Sequence, residues 1–147
     1  MQNFTTTFSL DKLPRVVTEL RDNFPDAKVF TLTGDLGAGK TTLVAEFCRQ
    51  MGVTHEMSSP TFSIVNEYHY NAGLIFHLDC YRLKDIQEAL DLDVETYFEH
   101  GQYVFVEWPA IIEPLLPSGV VNLRLDYNPL SPNQRETRTL TATRPRS

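Results

Sequence analysis

Only two cysteines, Cys48 and Cys80, occur in the 147 residues of the chain, and no CxxC spacing joins them. That scarcity excludes a disulfide scaffold and a thiolate zinc site, so both thiols are expected to be reduced and packed. Basic residues are also few: 13 lysines and arginines stand against 19 aspartates and glutamates, a net charge of -6. A nucleic-acid backbone is gripped by clustered cations, so broad unassisted binding to a phosphate backbone is not expected. No apolar run approaches the roughly 18 residues that cross a bilayer. The opening MQNFTTTFSLDK has neither the basic nor the apolar stretch of a secretory signal, so a cytoplasmic protein without a membrane partner is expected. No HExxH pair occurs among His55, His69, His77 and His100, and no second ligand pair accompanies His77 and Cys80. The histidines therefore read as structural or surface residues. The guanine-reading string NKxD is missing too, which favours adenine as the base of any nucleotide ligand.

What is present is an ordinary globular composition, 41% hydrophobic and 22% charged, in a length that suits one domain over residues 1–147 with a frayed tail from about 144. Leu13, Val16, Val17, Leu20 and Phe24 recur at helical spacing within 11–24, with Ser9 or Asp11 as a cap and Pro14 in the first turn. KVFTLT (28–33) reads as a strand, and a second helix runs from Lys40 to Met51 with Gly52 as its stop. Two β-branched and aromatic runs flank Asn71-Ala72-Gly73 as a hairpin. Residues 84–100 read as one helix or a pair broken near Asp91-Leu92-Asp93. YVFVEW (103–108) reads as a buried strand, AIIEPLLP (110–117) as a short helix, and VVNLRLDY and TRTLTA as further strands.

The strand at 28–33 runs into LTGDLGAGKTTL. Gly34, Asp35, Leu36, Gly37, Ala38, Gly39, Lys40 and Thr41 fit G-x-x-x-x-G-K-[ST] between a predicted strand and a predicted helix, the context a phosphate-binding loop requires. Glycines let successive N–H groups turn toward phosphate oxygens, and the helix below adds the positive end of its dipole. Lys40 is expected to reach the β- and γ-phosphates and the Thr41 hydroxyl to coordinate Mg²⁺, while Thr42 packs or caps. A chance match in a chain of this length is on the order of one in a few hundred at ordinary residue frequencies.

Such a loop needs an acid for the metal or its water shell, usually at the end of a neighbouring apolar strand. Asp79 after LIFHL and Glu107 after VFV both qualify. Ser59-Pro60-Thr61-Phe62 adds hydroxyls in a loop leading into a strand, and Thr61 can act as a γ-phosphate-sensing switch residue.

GDLGAGKTTL, SPTFSIVNEY, HLDCYRL and VEWP, in that order over about 80 residues, resemble the TsaE (formerly YjeE) family of P-loop ATPases. The resemblance implies a P-loop NTPase-like three-layer α/β fold with a central mixed, mostly parallel sheet flanked by helices. It also implies ATP and Mg²⁺ as ligands, and partnership with TsaB and TsaD in forming threonylcarbamoyladenosine at adenosine 37 of tRNAs that read codons beginning with A. By position, Gly37, Ala38, Gly39, Lys40, Thr41 and Thr42 bind phosphate, and Gly34 and Asp35 belong to the same loop. Thr41 and Glu107 hold Mg²⁺, Asp79 takes the Walker-B-like place, Thr61 is the switch-like threonine and Trp108 lies beside the nucleotide. The segment 88–98 lacks a glycine that the family often has, and the tail after Asn128 matches poorly, leaving Arg135 and Arg138 unassigned.

Two other readings compete. A small kinase needs an arginine-bearing lid and an acceptor insertion, but Arg82 and Arg124 stand alone. A nucleotide-gated binding module with incidental hydrolysis shares every residue of the loop and is separated only by turnover.

Overall fold

In the strand that precedes the glycine loop, Val29, Phe30, Thr31 and Leu32 are all buried, so it must lie inside the sheet rather than at its edge. The computed structural model of the chain describes residues 2–35, 38–53, 64–129 and 136–145. Among them, β1 (Gln2–Phe8), β2 (Val29–Gly34), β3 (Val65–Tyr70), β4 (Gly73–Asp79), β5 (Tyr103–Glu107), β6 (Val121–Asn128) and β7 (Thr137–Arg144) form one sheet in the order β1-β7-β6-β2-β5-β4-β3.

The sheet is mixed, and its parallel pairing is confined to the four central strands β6, β2, β5 and β4. Both flanks are antiparallel. On one flank the reason is local: only Asn71 and Ala72 separate β3 from β4, too few residues for the crossover that parallel pairing needs. On the other, β1 was not legible as a strand. Its register with β7, from Gln2 opposite Arg144 to Phe8 opposite Arg138, joins the two extremes of the described chain.

Helix α1 (Leu13–Asn23) buries Leu13, Val16, Val17 and Leu20, the face that the spacing predicts. The expected cap differs. A 3-10 turn, Leu10–Lys12, precedes the helix, Ser9 makes no capping bond, and its hydroxyl donates to the Asp11 carboxylate instead. Helix α2 (Lys40–Met51) starts and stops where expected, with Gly52 left-handed at φ 100°. Both helices cover the sheet face that presents Phe30, Leu32, Ile75, Phe105, Leu123 and Leu125. Phe47 of α2 stands 4.9–5.5 Å from the rings of Phe30, Tyr103 and Phe105, so truncating it to alanine would cost about 3–5 kcal/mol.

The opposite face carries Phe76, Leu78, Val104 and Val106 and is covered by α3 (Ile86–Asp91), α4 (Glu95–His100) and a 3-10 helix over Pro109–Leu115. The layers are thus helices, sheet, helices. The break between α3 and α4 falls at Asp93, whose φ of 55° does without glycine what the turn requires. Arg144, where the tail was expected to fray, instead ends β7, donating to Asp26 at 2.9 Å and to the Gly119 carbonyl at 3.0 Å. Among the described residues no helix is long and apolar enough to cross a membrane.

Candidate functional site

Gly34 ends β2 against β6, and a Cβ there would stand 2.3 Å from the Leu125 carbonyl oxygen. The first glycine of the loop is therefore demanded by strand packing, whatever the loop binds. Beyond it, Ala38 N donates to Asp35 O at 3.0 Å, Gly39 adopts φ 103° at the N-cap of α2, and Leu43 N donates to Gly39 O at 2.9 Å. Lys40 follows at the first helical position and is buried, with 6% exposure. Its ammonium donates to the Gly34 carbonyl at 2.5 Å and lies 3.4 Å from the Asp35 carbonyl. It also stands 4.7 Å from the Trp108 ring centroid. Among the described residues no carboxylate pairs with it. A buried ammonium held by carbonyl dipoles and a π face, at the positive end of a helix, makes an electropositive pocket that suits an anion. Thr41 is half-buried. Thr42 is exposed and, with Gly39 at the N-cap, neither packs nor caps.

The two acids lie in one row. Leu32 of β2 pairs with Glu107 of β5, and Glu107 pairs with Asp79 of β4, so both carboxylates sit at the carboxyl edge of the parallel strands and on the sheet face that α2 covers. Open α/β sheets bind their ligands at that edge. Glu107 is buried, and its Oε2 lies 2.6 Å from Nε2 of His77, which is 1% exposed. Asp79 is half-buried and accepts the Tyr81 N–H at 3.0 Å. The chain then turns sharply at Trp108, whose φ of 55° is left-handed and costs about 1–3 kcal/mol for a residue with a side chain. That turn places the indole over Lys40, and the Trp108 backbone N–H donates to Leu32 O at 3.3 Å.

The donor set fits a hard divalent cation shared with phosphates. Thr41 could supply a hydroxyl and Glu107 or Asp79 a carboxylate, and no group of three or more His, Cys, Asp or Glu able to hold a metal occurs among the described residues. Mg²⁺ is commonly held by one or two carboxylates plus phosphate oxygens and water, rather than in an all-protein cage.

The fold thus brings together Gly34, Asp35, Ala38, Gly39, Lys40, Thr41, Asp79, Glu107 and Trp108. Gly37, Thr61 with the rest of 59–62, and Arg135 lie outside the described residues. One residue went unrecognised in the sequence, and Arg138 was left unassigned. His77 read as an ordinary structural histidine, yet it fixes the Glu107 carboxylate; the alternation of β4 that puts residues 77 and 79 on one face was the available signal. Arg138, far along the chain on β7, donates from Nε to the Ala38 carbonyl at 3.1 Å.

A family model described as threonylcarbamoyl adenosine biosynthesis protein TsaE matches residues 7–137. The chain belongs to the TsaE family. A relative in Bacillus subtilis, named tRNA threonylcarbamoyladenosine biosynthesis protein TsaE, is 48% identical over 90 residues, 60% of this chain and 55% of that protein. The protein of the same name in a Nostoc species is 38% identical over 121 residues, 80% of this chain and 74% of its own. The match therefore spans about half the length of the first relative and three quarters of the second. The crystal structure of YdiB from Bacillus subtilis aligns with a TM-score of 0.69 and 26% identity, covering 95% of this chain and 84% of that one. The TsaE match runs from the end of β1 to the first residue of β7, so it holds the whole loop, both acids and Trp108. It stops one residue before Arg138.

Proposed function

We propose that this TsaE-family chain binds ATP with Mg²⁺ and hydrolyses it in the cytoplasm, supporting TsaB and TsaD in forming threonylcarbamoyladenosine at position 37 of tRNAs that read codons beginning with A. The observation that carries the proposal is the buried Lys40 ammonium, without a carboxylate partner among the described residues, at the head of α2 beside a strand-edge row that ends in Glu107 and Asp79. Lys40 and the loop amides of residues 37–41 hold the phosphates, with Thr42 at the rim. Thr41 and Glu107 hold the metal, which when bound offsets phosphate charge and orients the terminal phosphate. Asp79 orients the attacking water, and Trp108 closes the site over Lys40. The relatives' names support the pathway. With a net charge of -6, the chain contributes through protein partners rather than by gripping tRNA itself.

ATP turnover by the purified chain, alone and then with TsaB, TsaD and tRNA, tests the reading. Slow Mg²⁺-dependent release of inorganic phosphate that rises when the partners are present is expected. Phosphate appearing on a small-molecule acceptor instead would identify a kinase. Modification that proceeds equally well without ATP hydrolysis would identify a nucleotide-gated module.

A further inference from the structure

Arg138 projects from β7 opposite Tyr127 of β6 and Phe8 of β1, on the same sheet face as the row of acids but across β6 and β2 from it. Its guanidinium is held at several points. Nε donates to Ala38 O at 3.1 Å, Nη2 lies 3.2 Å from the Glu136 carboxylate, and the Tyr127 ring centroid is 5.4 Å from Cζ. The side chain is only 12% exposed. It also borders Gly39, where a Cβ would come within 3.4 Å of Nε.

We infer that Arg138 is a positioning residue of the phosphate loop, fixing the Ala38–Gly39 peptide from outside and adding a second cation to the anion side of the site. The inference rests on the nucleotide-binding reading above. In a trans peptide the C=O and N–H point in opposite directions, and the described chain has no cis peptide. Tying the Ala38 carbonyl to Arg138 therefore sets the direction of the Gly39 N–H, one of the amides through which such a loop holds phosphate. The charge matters as well. A little-exposed guanidinium against Gly39, at the positive end of α2, is opposed by that dipole, and Glu136 alone among the described carboxylates pairs with it. A bound phosphate relieves that opposition, so Arg138 favours the nucleotide-bound loop. A planar fork is needed to bond Ala38 and Glu136 at once, which a lysine ammonium cannot reproduce.

The test measures binding of ATP and ADP by calorimetry and amide hydrogen exchange of the nucleotide-free protein, for the native chain, Arg138→Ala, Arg138→Lys and Glu136→Gln. Arg138→Ala is expected to weaken both nucleotides roughly 10- to 100-fold, the effect of removing a charged hydrogen bond. KM for ATP rises by a larger factor than kcat falls. Exchange accelerates within residues 34–41 and not across the sheet. Arg138→Lys restores part of the affinity but not the protection, and Glu136→Gln keeps the protection. Unchanged affinity and exchange in Arg138→Ala would overturn the inference, and so would exchange that accelerates throughout β6 and β7, the mark of a merely structural residue. If the native chain binds neither nucleotide, the nucleotide reading fails by itself, and the exchange in residues 34–41 still decides whether Arg138 orders the loop.

Discussion

Nε2 of His77 and Oε2 of Glu107 lie 2.6 Å apart in the interior, Glu107 on the strand next to the one that leads into the glycine loop and His77 on the strand beyond. The pair holds the proposed metal ligand in one orientation before any cation arrives. Glu107→Gln keeps a hydrogen-bonding partner for His77 and removes the charge. It should leave the fold intact and weaken nucleotide binding in Mg²⁺ far more than binding measured in EDTA. His77→Phe instead strands a buried carboxylate and should cost about 1–3 kcal/mol of stability, read from urea unfolding. Asp79→Asn still accepts the Tyr81 N–H, and should retain most nucleotide binding while losing hydrolysis. Equal loss of metal-dependent binding in Asp79→Asn and Glu107→Gln would end this division of roles.

Lys40→Ala removes the ammonium from beneath the Trp108 ring. Turnover should vanish and ATP affinity fall, with circular dichroism unchanged. Because Trp108 is the sole tryptophan, its fluorescence should respond to nucleotide in the native chain and not in the variant. Native-rate hydrolysis by the variant would remove Lys40 from the site.

Gly34→Ala drives a methyl group into the Leu125 carbonyl at a φ of 145°. The strain should exceed the ~1–3 kcal/mol of an unfavourable backbone conformation alone. A fall in Tm of roughly 5–10 °C follows for a domain of this size. The loss should appear with and without ATP, since its cause is the β2–β6 contact; a variant impaired only in ATP binding would contradict that origin.

Burial pushes both thiols up, Cys48 to about 12 and Cys80 to about 12, from an ordinary 9.0, with the Asp79 charge adding to the rise at Cys80. Each thiol stays protonated in the folded chain while the unfolded chain ionises near 9. The stability tied to this difference is whole below pH 9 and is lost as pH rises toward 12, by up to about 1.4 kcal/mol per pH unit per thiol. Urea midpoints should fall across that range, and less so in Cys48→Ala. A thiol reagent at pH 8 should react slowly until urea is added; two rapid reactions in the native chain would refute the packing.

With Thr61 as the γ-phosphate-sensing residue expected from the sequence, ATP or a non-hydrolysable analogue should tighten binding to a TsaB–TsaD complex relative to ADP, and Thr61→Ala should narrow the difference. Size-exclusion binding with each nucleotide measures it. Equal affinities in all nucleotide states would dismiss the switch.

Local chemistry carried most of the elements. Gly52 stops α2, Asn71-Ala72 turns β3 into β4, and the period of Val16, Val17 and Leu20 fixes the face of α1, because each depends on residues a few positions apart. The loop was legible for the same reason: its glycines, lysine and threonine must be contiguous to surround one phosphate group. Asp79 and Glu107 could be nominated from the sequence, since each closes an apolar strand, but their shared row needed the register of β4 on β5.

What only the tertiary structure decided involves partners distant in sequence. Whether NFTTTF becomes β1 depends on β7, at the other end of the described chain, and no local pattern encodes a pairing that distant. The cap of α1 was decided by the 3-10 turn leading out of β1. His77 acquired its role because β4 lies beside β5, which brings its imidazole to Glu107. Arg138 met the loop 100 residues earlier only because β7 returns antiparallel to β6, itself laid along β2. The sequence by itself determined that β2 leads through a glycine-rich stretch into α2. The sheet order decided which side chains surround it, because side chains far apart in the chain meet only after the strands between them have paired.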